Sequence, residues 1–520
     1  DQIIVPFCPE SKLSTVEYKD FMSAVWYKKQ FTLPSNWAEQ RILLHFGAVD
    51  YRAFIYVNEK LAGTHQGGYS SFTLDITAYI EGEKNSIVVC AEDDVRSPLQ
   101  PRGKQSESFH SVRCDYTRTT GIWQTVWLEC VPHTCIQDVY YETDTQQGIV
   151  TIHSNLRGEA SLSAKVFYND VPQGEASVAS KGGQQTLTIS LCERHLWEPG
   201  AGRLYHVVLQ YGEDTVKSYF GLRSVHMDEL KCRINGVSVF QRLVLDQGFY
   251  PDGIYTAPNE EAIIRDIQIS LDAGFNGARL HQKIFEPRFL YHCDRMGYLV
   301  WGEYPCWGID VSDPRLLGKI LPEWIETVLR DRNHPSIIGW CPLNETWDYQ
   351  GCAQDDDMVR CLYRTTKAID PTRPCIDTSG FYHVETDVYD VHDYEQDAEL
   401  FKEHYGDFTK KEPFEIFPKR QKYCNEPFFV SEYGGILWNV DGVDDGWGYG
   451  DGPKSEEEFL ARYQALTDTL LDNPQIFAFC YTQLYDVEQE KNGLYTYERE
   501  PKFSMQRIRE VNIRRAKIEE

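Results

Sequence analysis

The sequence predicts a multidomain chain: a β jelly-roll sandwich, an immunoglobulin-like β-sandwich and a (β/α)8 TIM barrel. Three observations carry this expectation. A length of 520 residues suggests about three domains. Residues up to 223 run as short β-type segments separated by turns, with no sustained helical period. From about residue 240, short apolar runs alternate with longer helical stretches.

Residues 1–131 are expected to form the jelly-roll domain. Ala24-Val25-Trp26-Tyr27, Arg41 to Phe46, Ala53 to Val57 and Ser86 to Cys90 are its clearest strands. Residues 132–223 repeat the style in a shorter block, with Tyr205-His206-Val207-Val208-Leu209 alternating near its end. Residues 224–520 are expected to form the barrel. Its eight strand candidates are 243–245, 277–280, 298–301, 337–341, 375–377, 388–391, 428–430 and 476–481. Helical stretches at 259–273, 286–297, 316–331, 352–369 and 455–471 lie between most of them. Asn259 and Ser455 stand where an N-cap is wanted, each followed by glutamates in the first turn.

Apolar residues make up 42% and aromatics 13%, enough for large cores. A net charge of −27 disfavours nucleic acid and anionic membranes as partners, since both would repel the chain. No apolar run is long enough to span a bilayer. The fifteen cysteines are scattered, with no CxxC pair or zinc spacing, so reduced thiols, no metal and no cofactor are expected. Asn344-Glu345-Thr346 is the only glycosylation sequon and falls on the proposed site. Both features lean towards a cytoplasmic location, with an upstream targeting segment left open because the first residue is Asp.

In a (β/α)8 barrel the chemistry sits at the C-terminal strand ends. There the sequence places Asp246 and Gln247, Arg279 and His281, Glu303, Asn344 and Glu345, His392 and Tyr394, Glu432, and Gln483 and Asp486. Trp307, Trp347 and Trp438 follow strand ends, where an indole can stack on a sugar face. Two carboxylates on two strand ends are the minimum apparatus for glycosidic cleavage. Glu345 suits the acid/base, with Trp340 and Trp347 as an apolar surround. Glu432 suits the nucleophile, its charge held by Arg279 or Tyr394. The bland alternatives are a strand-end salt bridge for each glutamate and structural histidines at His281 and His392.

These residues resemble glycoside hydrolase family 2, which includes β-galactosidases, β-glucuronidases and β-mannosidases. The resemblance runs through Arg330-Asp331-Arg332-Asn333-His334-Pro335-Ser336, Asn344-Glu345, Cys293 to Glu303 and Ser431-Glu432-Tyr433-Gly434. Gly67-Gly68-Tyr69 and Thr119-Thr120-Gly121-Ile122-Trp123 resemble the family's sugar-binding domain. It implies Glu345 as acid/base, Glu432 as nucleophile, Asn344 on the sugar 2-hydroxyl and Tyr394 steadying the nucleophile. Asp115 resembles the first-domain aspartate that reaches the barrel mouth. The chain departs from the family pattern at Arg279-Leu280-His281, at Asp246-Gln247, and at Glu490-Lys491-Asn492, where glucuronidases carry Asn-x-Lys. A uronate carboxylate would face Glu490 there, with Asn492 in place of the lysine.

The resulting expectation is a retaining exo-β-glycosidase acting on a terminal β-galactoside, with a β-glucuronide or β-galacturonide as alternative. Its substrate is an oligosaccharide or glycoside. A homo-oligomer through the sandwiches is left open. A reading from another class is a non-catalytic carbohydrate-binding protein on a decayed scaffold. A metal-dependent hydrolase finds no His/Cys cluster to support it.

Overall fold

The computed structural model describes residues 2–348, 351–406, 408, 412–440 and 446–520. The first sandwich pairs Ala24–Thr32, Lys84–Glu92, Arg52–Val57 and Lys60–Gln66 in one antiparallel sheet. It faces a second sheet of Phe72–Asp75, Arg41–Phe46 and Val126–Val131. Alternation explains the pairing: Ala53, Ile55 and Val57 point into the shared core while Arg52 points out. The second sandwich sets Cys135–Asp144, Ile149–Arg157 and Gly183–Ser190 against four strands running from Ala160–Tyr168 to Asp214–Phe220. Its core is separate, built around Ile152, Leu162, Val207 and Phe220.

Among the described residues, seven parallel strands form the barrel sheet. In spatial order they are Ile337–Cys341, Leu299–Glu303, Gly277–Leu280, Gln241–Asp246, Ile476–Thr482, Phe428–Gly434 and Tyr389–Asp393. Buried on both faces, they read as continuous apolar runs, as parallel strands do. Gly339 packs under the Trp301 ring, where any Cβ would collide. Helices α1 (Glu260–Asp272), α2 (Pro287–Met296), α3 (Leu317–Asp331), α4 (Asp356–Ile369), α5 (Ala398–Tyr405), α6 (Glu456–Leu471) and α7 (Met505–Asn512) surround the sheet. Asn259 caps α1 by accepting from the Ala262 N–H, and Ser455 caps α6 through the Glu458 N–H.

The expected fifth strand is reduced to two isolated parallel bridges, Trp340 with Cys375 and Asn344 with Ser379. Pro374 has no N–H to give, and the buried Asp377 carboxylate draws the N–H groups of Thr378, Val384 and Glu385 into a tight turn. A small antiparallel sheet, Val225–Asp228, Lys231–Ile234 and Val237–Ser238, precedes the first barrel strand and packs Cys232 and Ile234 into the barrel core.

The basic loop after α3 is structural. Asn333 donates to the Val139 carbonyl and accepts from the Tyr141 N–H, which fixes the second sandwich to the barrel. His334 lies 2.6 Å from Asp294. The fifteen cysteines are all unpaired. Among the described residues no helix is long and apolar enough to cross a membrane.

Candidate active site

Asn344 and Glu345 follow strand Ile337–Cys341, Glu432 lies in strand Phe428–Gly434, and His392 lies in strand Tyr389–Asp393 with Tyr394 just beyond. Arg279, near the end of strand Gly277–Leu280, joins them. Its guanidinium donates to Glu432 Oε1 (3.1 Å), Glu303 Oε2 (2.5 Å), Asn344 Oδ1 (3.0 Å) and the Ser431 carbonyl (2.8 Å). Arg279 and Glu303 are buried, so Glu303 supplies the charge that keeps the guanidinium in place.

Glu432 is buried and would be pushed up by desolvation alone. The charges of His392, His281 and Arg279, with a hydrogen bond from the Tyr394 hydroxyl, reverse this and hold its carboxyl at about 2. Tyr394 is itself fixed by stacking on Tyr449, ring centroids 3.4 Å apart. His281 Nδ1 lies 3.0 Å from Glu303 Oε1, off the line of a hydrogen bond.

Glu345 sits in the left-handed backbone region, φ 48°, a conformation a glutamate adopts only when its surroundings impose it. The bridge to Ser379 imposes it here: the Glu345 N–H donates to the Ser379 carbonyl. Its Oε1 lies 2.7 Å from His392 Nδ1, while His392 Nε2 lies 3.0 Å from Ser379 Oγ and 3.5 Å from Glu432 Oε1. Burial works against charge on His392, but Glu432 and Glu345 outweigh it and raise its pKa. The ligand atoms of Glu345, His392 and Glu432 lie within 4.8 Å of one another. Among the described residues they are the group that could hold a cation, though Tyr394 already donates to Glu432 and His392 lies against Glu345.

Asn344 uses Oδ1 on Arg279, and its Nδ2 is buried without a partner. An orphaned amide donor beside two carboxylates is ready for a ligand hydroxyl. Trp307 packs at the same place, near His281 and Trp347, and its Nε1 is likewise buried and unpartnered.

Other strand-end residues go elsewhere. Asp246 accepts from Tyr485 and the Gly248 N–H, and burial beside Asp266 raises its carboxyl to about 6. Asp486 is tied to Lys502 at 2.7 Å and raised by burial to about 6. Trp438 packs on Phe459 and Phe503 behind α6. Trp340 donates to Asp370 and packs on Trp324, so it provides no surround for Glu345. The Asp115 carboxylate is engaged by Arg102 at 3.1 Å. Glu490 accepts from Tyr116 and from Asn492 Nδ2 (2.9 Å), and Asn492 Oδ1 accepts from Gln483 (2.8 Å).

The sequence reading did not select Lys104, on the first-domain segment that joins strand Lys84–Glu92 to strand Gly121–Ile122. It is 5% exposed, and its ammonium lies 3.7 Å from the Trp307 ring centroid. Burial opposes its charge. Cys114, Glu490, Glu345 and Glu432 together overcome this and raise its pKa. Its one signal in the sequence was a lysine in a Pro- and Gly-flanked loop, Pro101-Arg102-Gly103-Lys104.

Two catalytic-type glutamates at the mouth of a parallel barrel, preceded by two sandwiches, define a class of sugar-cleaving architecture. Comparisons with known proteins agree. The "Glycosyl hydrolases family 2, sugar binding domain" matches residues 11–132, "Glycosyl hydrolases family 2" matches 134–223, and its "TIM barrel domain" matches 256–516. The chain belongs to glycosyl hydrolase family 2. It is 27% identical over 448 residues to a β-galactosidase of Thermoanaerobacter pseudethanolicus, covering 82% of this chain and 56% of that protein. It is 24% identical over 557 residues to a β-glucuronidase of Paenibacillus borealis, covering 94% and 88%. Among solved structures, an uncultured Clostridium sp. β-glucuronidase superposes with a TM-score of 0.80 at 21% identity, over 97% and 90% of the two chains. A galacturonate-bound β-galacturonidase from Eisenbergiella tayi gives 0.78 at 18% identity, over 98% and 92%.

Proposed function

We propose that the protein is a retaining exo-β-glycosidase acting on a terminal neutral β-glycoside, galactose-like, by double displacement. The observation that carries this is the approach of Glu345 and Glu432 carboxylate oxygens to within 4.8 Å. One oxygen of each carboxylate lying this close is compatible with the roughly 5–5.5 Å carboxyl separation of retaining enzymes. Glu432, held ionised by Arg279 and His392, attacks the anomeric carbon as the glycosidic C–O bond breaks. Glu345 gives its proton to the departing oxygen, with His392 in hydrogen-bond contact to share the pair's proton. Water then attacks the glycosyl-enzyme, Glu345 takes its proton and Glu432 is released. The free Asn344 Nδ2 is placed for the sugar 2-hydroxyl. No metal is required in this scheme.

A second reading, a β-uronide, is favoured by the ammonium of Lys104, which has no carboxylate within 4.0 Å among the described residues, and by relatives titled β-glucuronidase and β-galacturonidase. A panel of fluorogenic β-galactoside, glucuronide, galacturonide, mannoside, glucosaminide and arabinoside tests both. Turnover with a β-configured first product is expected. No turnover on any sugar would leave a carbohydrate-binding protein, and an α-configured first product would remove Glu432 as nucleophile.

A further inference from the structure

The second sandwich and the barrel enclose a cleft of about 660 Å³, a volume that fits a small molecule. It lies at the start of strand Ile337–Cys341, whereas Glu345 follows the end of that strand. No residue of the candidate active site lines it.

The chain carries a net charge of −27, yet this cleft is cationic. Arg223 at the end of the second sandwich, Arg332 after α3, Lys367 in α4 and Arg373 beyond it line the cleft, against two carboxylates, Glu142 and Asp387. Both acids are engaged. Asp387 accepts from the Tyr363 hydroxyl and the Cys375 N–H and lies 2.8 Å from Lys367 Nζ. Glu142 is exposed and lies 3.2 Å from His153. Arg373 has its own acid, Asp370, at 2.5 Å.

Arg223 and Arg332 are left over. Among the described residues neither has a carboxylate within 4.0 Å. Arg223 is 9% exposed and gives N–H groups to the Pro335 and Ile337 carbonyls. Arg373 donates to the same Ile337 carbonyl at 2.7 Å, so two guanidiniums converge on one oxygen. Burial and the Arg373 charge push the Arg223 pKa down to about 9. The Arg332 guanidinium lies 4.0 Å from the Tyr140 ring centroid, and its Nε is buried without a partner. Arg373 also fixes the Arg332 backbone by donating to its carbonyl. A buried charged donor left open is costly, and donors held in place before a ligand arrives favour its binding.

We propose that this cleft binds a phosphate-type dianion, free or as the monoester of a small molecule, with Arg223 and Arg332 as its principal donors. A guanidinium suits such an ion because its planar fork presents paired N–H groups to two oxygens. The cleft is larger than one phosphate and has room for an organic body. This site is separate from sugar cleavage and does not rest on that reading.

Calorimetric titrations and melting curves at constant ionic strength test this, with inorganic phosphate, glucose 6-phosphate and chloride as probes. The proteins are the wild type, Arg332→Gln, Glu142→Gln and, as a charge control at an exposed position, Lys181→Gln. Phosphate or its ester is expected to bind once per chain and to raise the melting temperature. Equal affinity assigns the free ion as ligand, and tighter binding of the ester assigns an organic phosphate. Arg332→Gln should weaken binding about ten- to a hundredfold, as loss of a charged hydrogen bond does. Glu142→Gln removes an opposing charge from the rim and should tighten binding about two- to fivefold. Lys181→Gln should match the wild type. If Arg332→Gln does not fold, Glu142→Gln decides alone. Four results overturn the proposal: no binding of either phosphate up to about 10 mM, chloride acting like phosphate, affinity unchanged in the folded cleft variants, or inorganic phosphate competing with a fluorogenic glycoside for the barrel mouth.

Discussion

Arg279 and Glu432 form an ion pair 3.1 Å long, side chains 1% and 4% exposed, between barrel strands Gly277–Leu280 and Phe428–Gly434. The guanidinium is shared with Glu303 at 2.5 Å, so one cation balances two buried acids. Removing it strands both. Arg279→Met should destabilise the protein by about 3–5 kcal/mol, the usual consequence of breaking a buried pair. Chemical denaturation reads the loss. A variant that melts like the wild type would show that the two acids find other partners.

The low carboxyl of Glu432, about 2, fixes the sign of a pH effect. An unfolded glutamate titrates near about 4.3. The folded value is depressed, so the stability Glu432 contributes is present above about 4.3 and is lost as pH falls towards about 2. Glu432→Gln has no such titration. Its stability should therefore fall less steeply than the wild type's across that window, measured by denaturation at stepped pH. The same variant should have no measurable turnover at neutral pH while remaining folded.

His392 touches Glu345 directly, so its removal should act on proton donation. In His392→Asn, kcat on an alkyl glycoside with a poor leaving group should drop about tenfold more than kcat on an activated aryl glycoside. Equal losses on both would show that His392 acts on Glu432 instead. Gly380→Ala should reproduce the effect, since Gly380 has φ 77° and a Cβ there would strike the His392 ring.

Glu345, His392 and Glu432 also have the donor atoms for a divalent ion. Overnight dialysis against a strong chelator is expected to leave kcat/KM unchanged. A loss restored by added metal would reassign these three residues as ligands.

The two glutamates were legible because a buried parallel strand announces its C-terminal end by an abrupt change from apolar to polar residues, as at Ile337 to Glu345. Strand-end position does not say which way a side chain turns. Asp246 and Asp486 sit at such ends yet bond to Tyr485 and Lys502. Trp438 obeys its neighbours Phe459 and Phe503 rather than its place in the chain. The fifth strand survives only as two bridges, because Pro374 offers no N–H and the Cys375 N–H is taken by the Asp387 carboxylate. Lys104 was invisible for a different reason. Nothing local in residues 101–105 indicates that they meet Trp307, some two hundred positions along the chain.

The contacts of Lys104 with Trp307 and of Tyr116 with Glu490 set a limit on transplantation. A barrel excised at its own first strand would keep Glu345, Glu432 and Arg279 but lose Lys104, Tyr116 and the groups that orient Glu490. Exchange of domains between such chains therefore has to move residues 93–120 together with the barrel they touch.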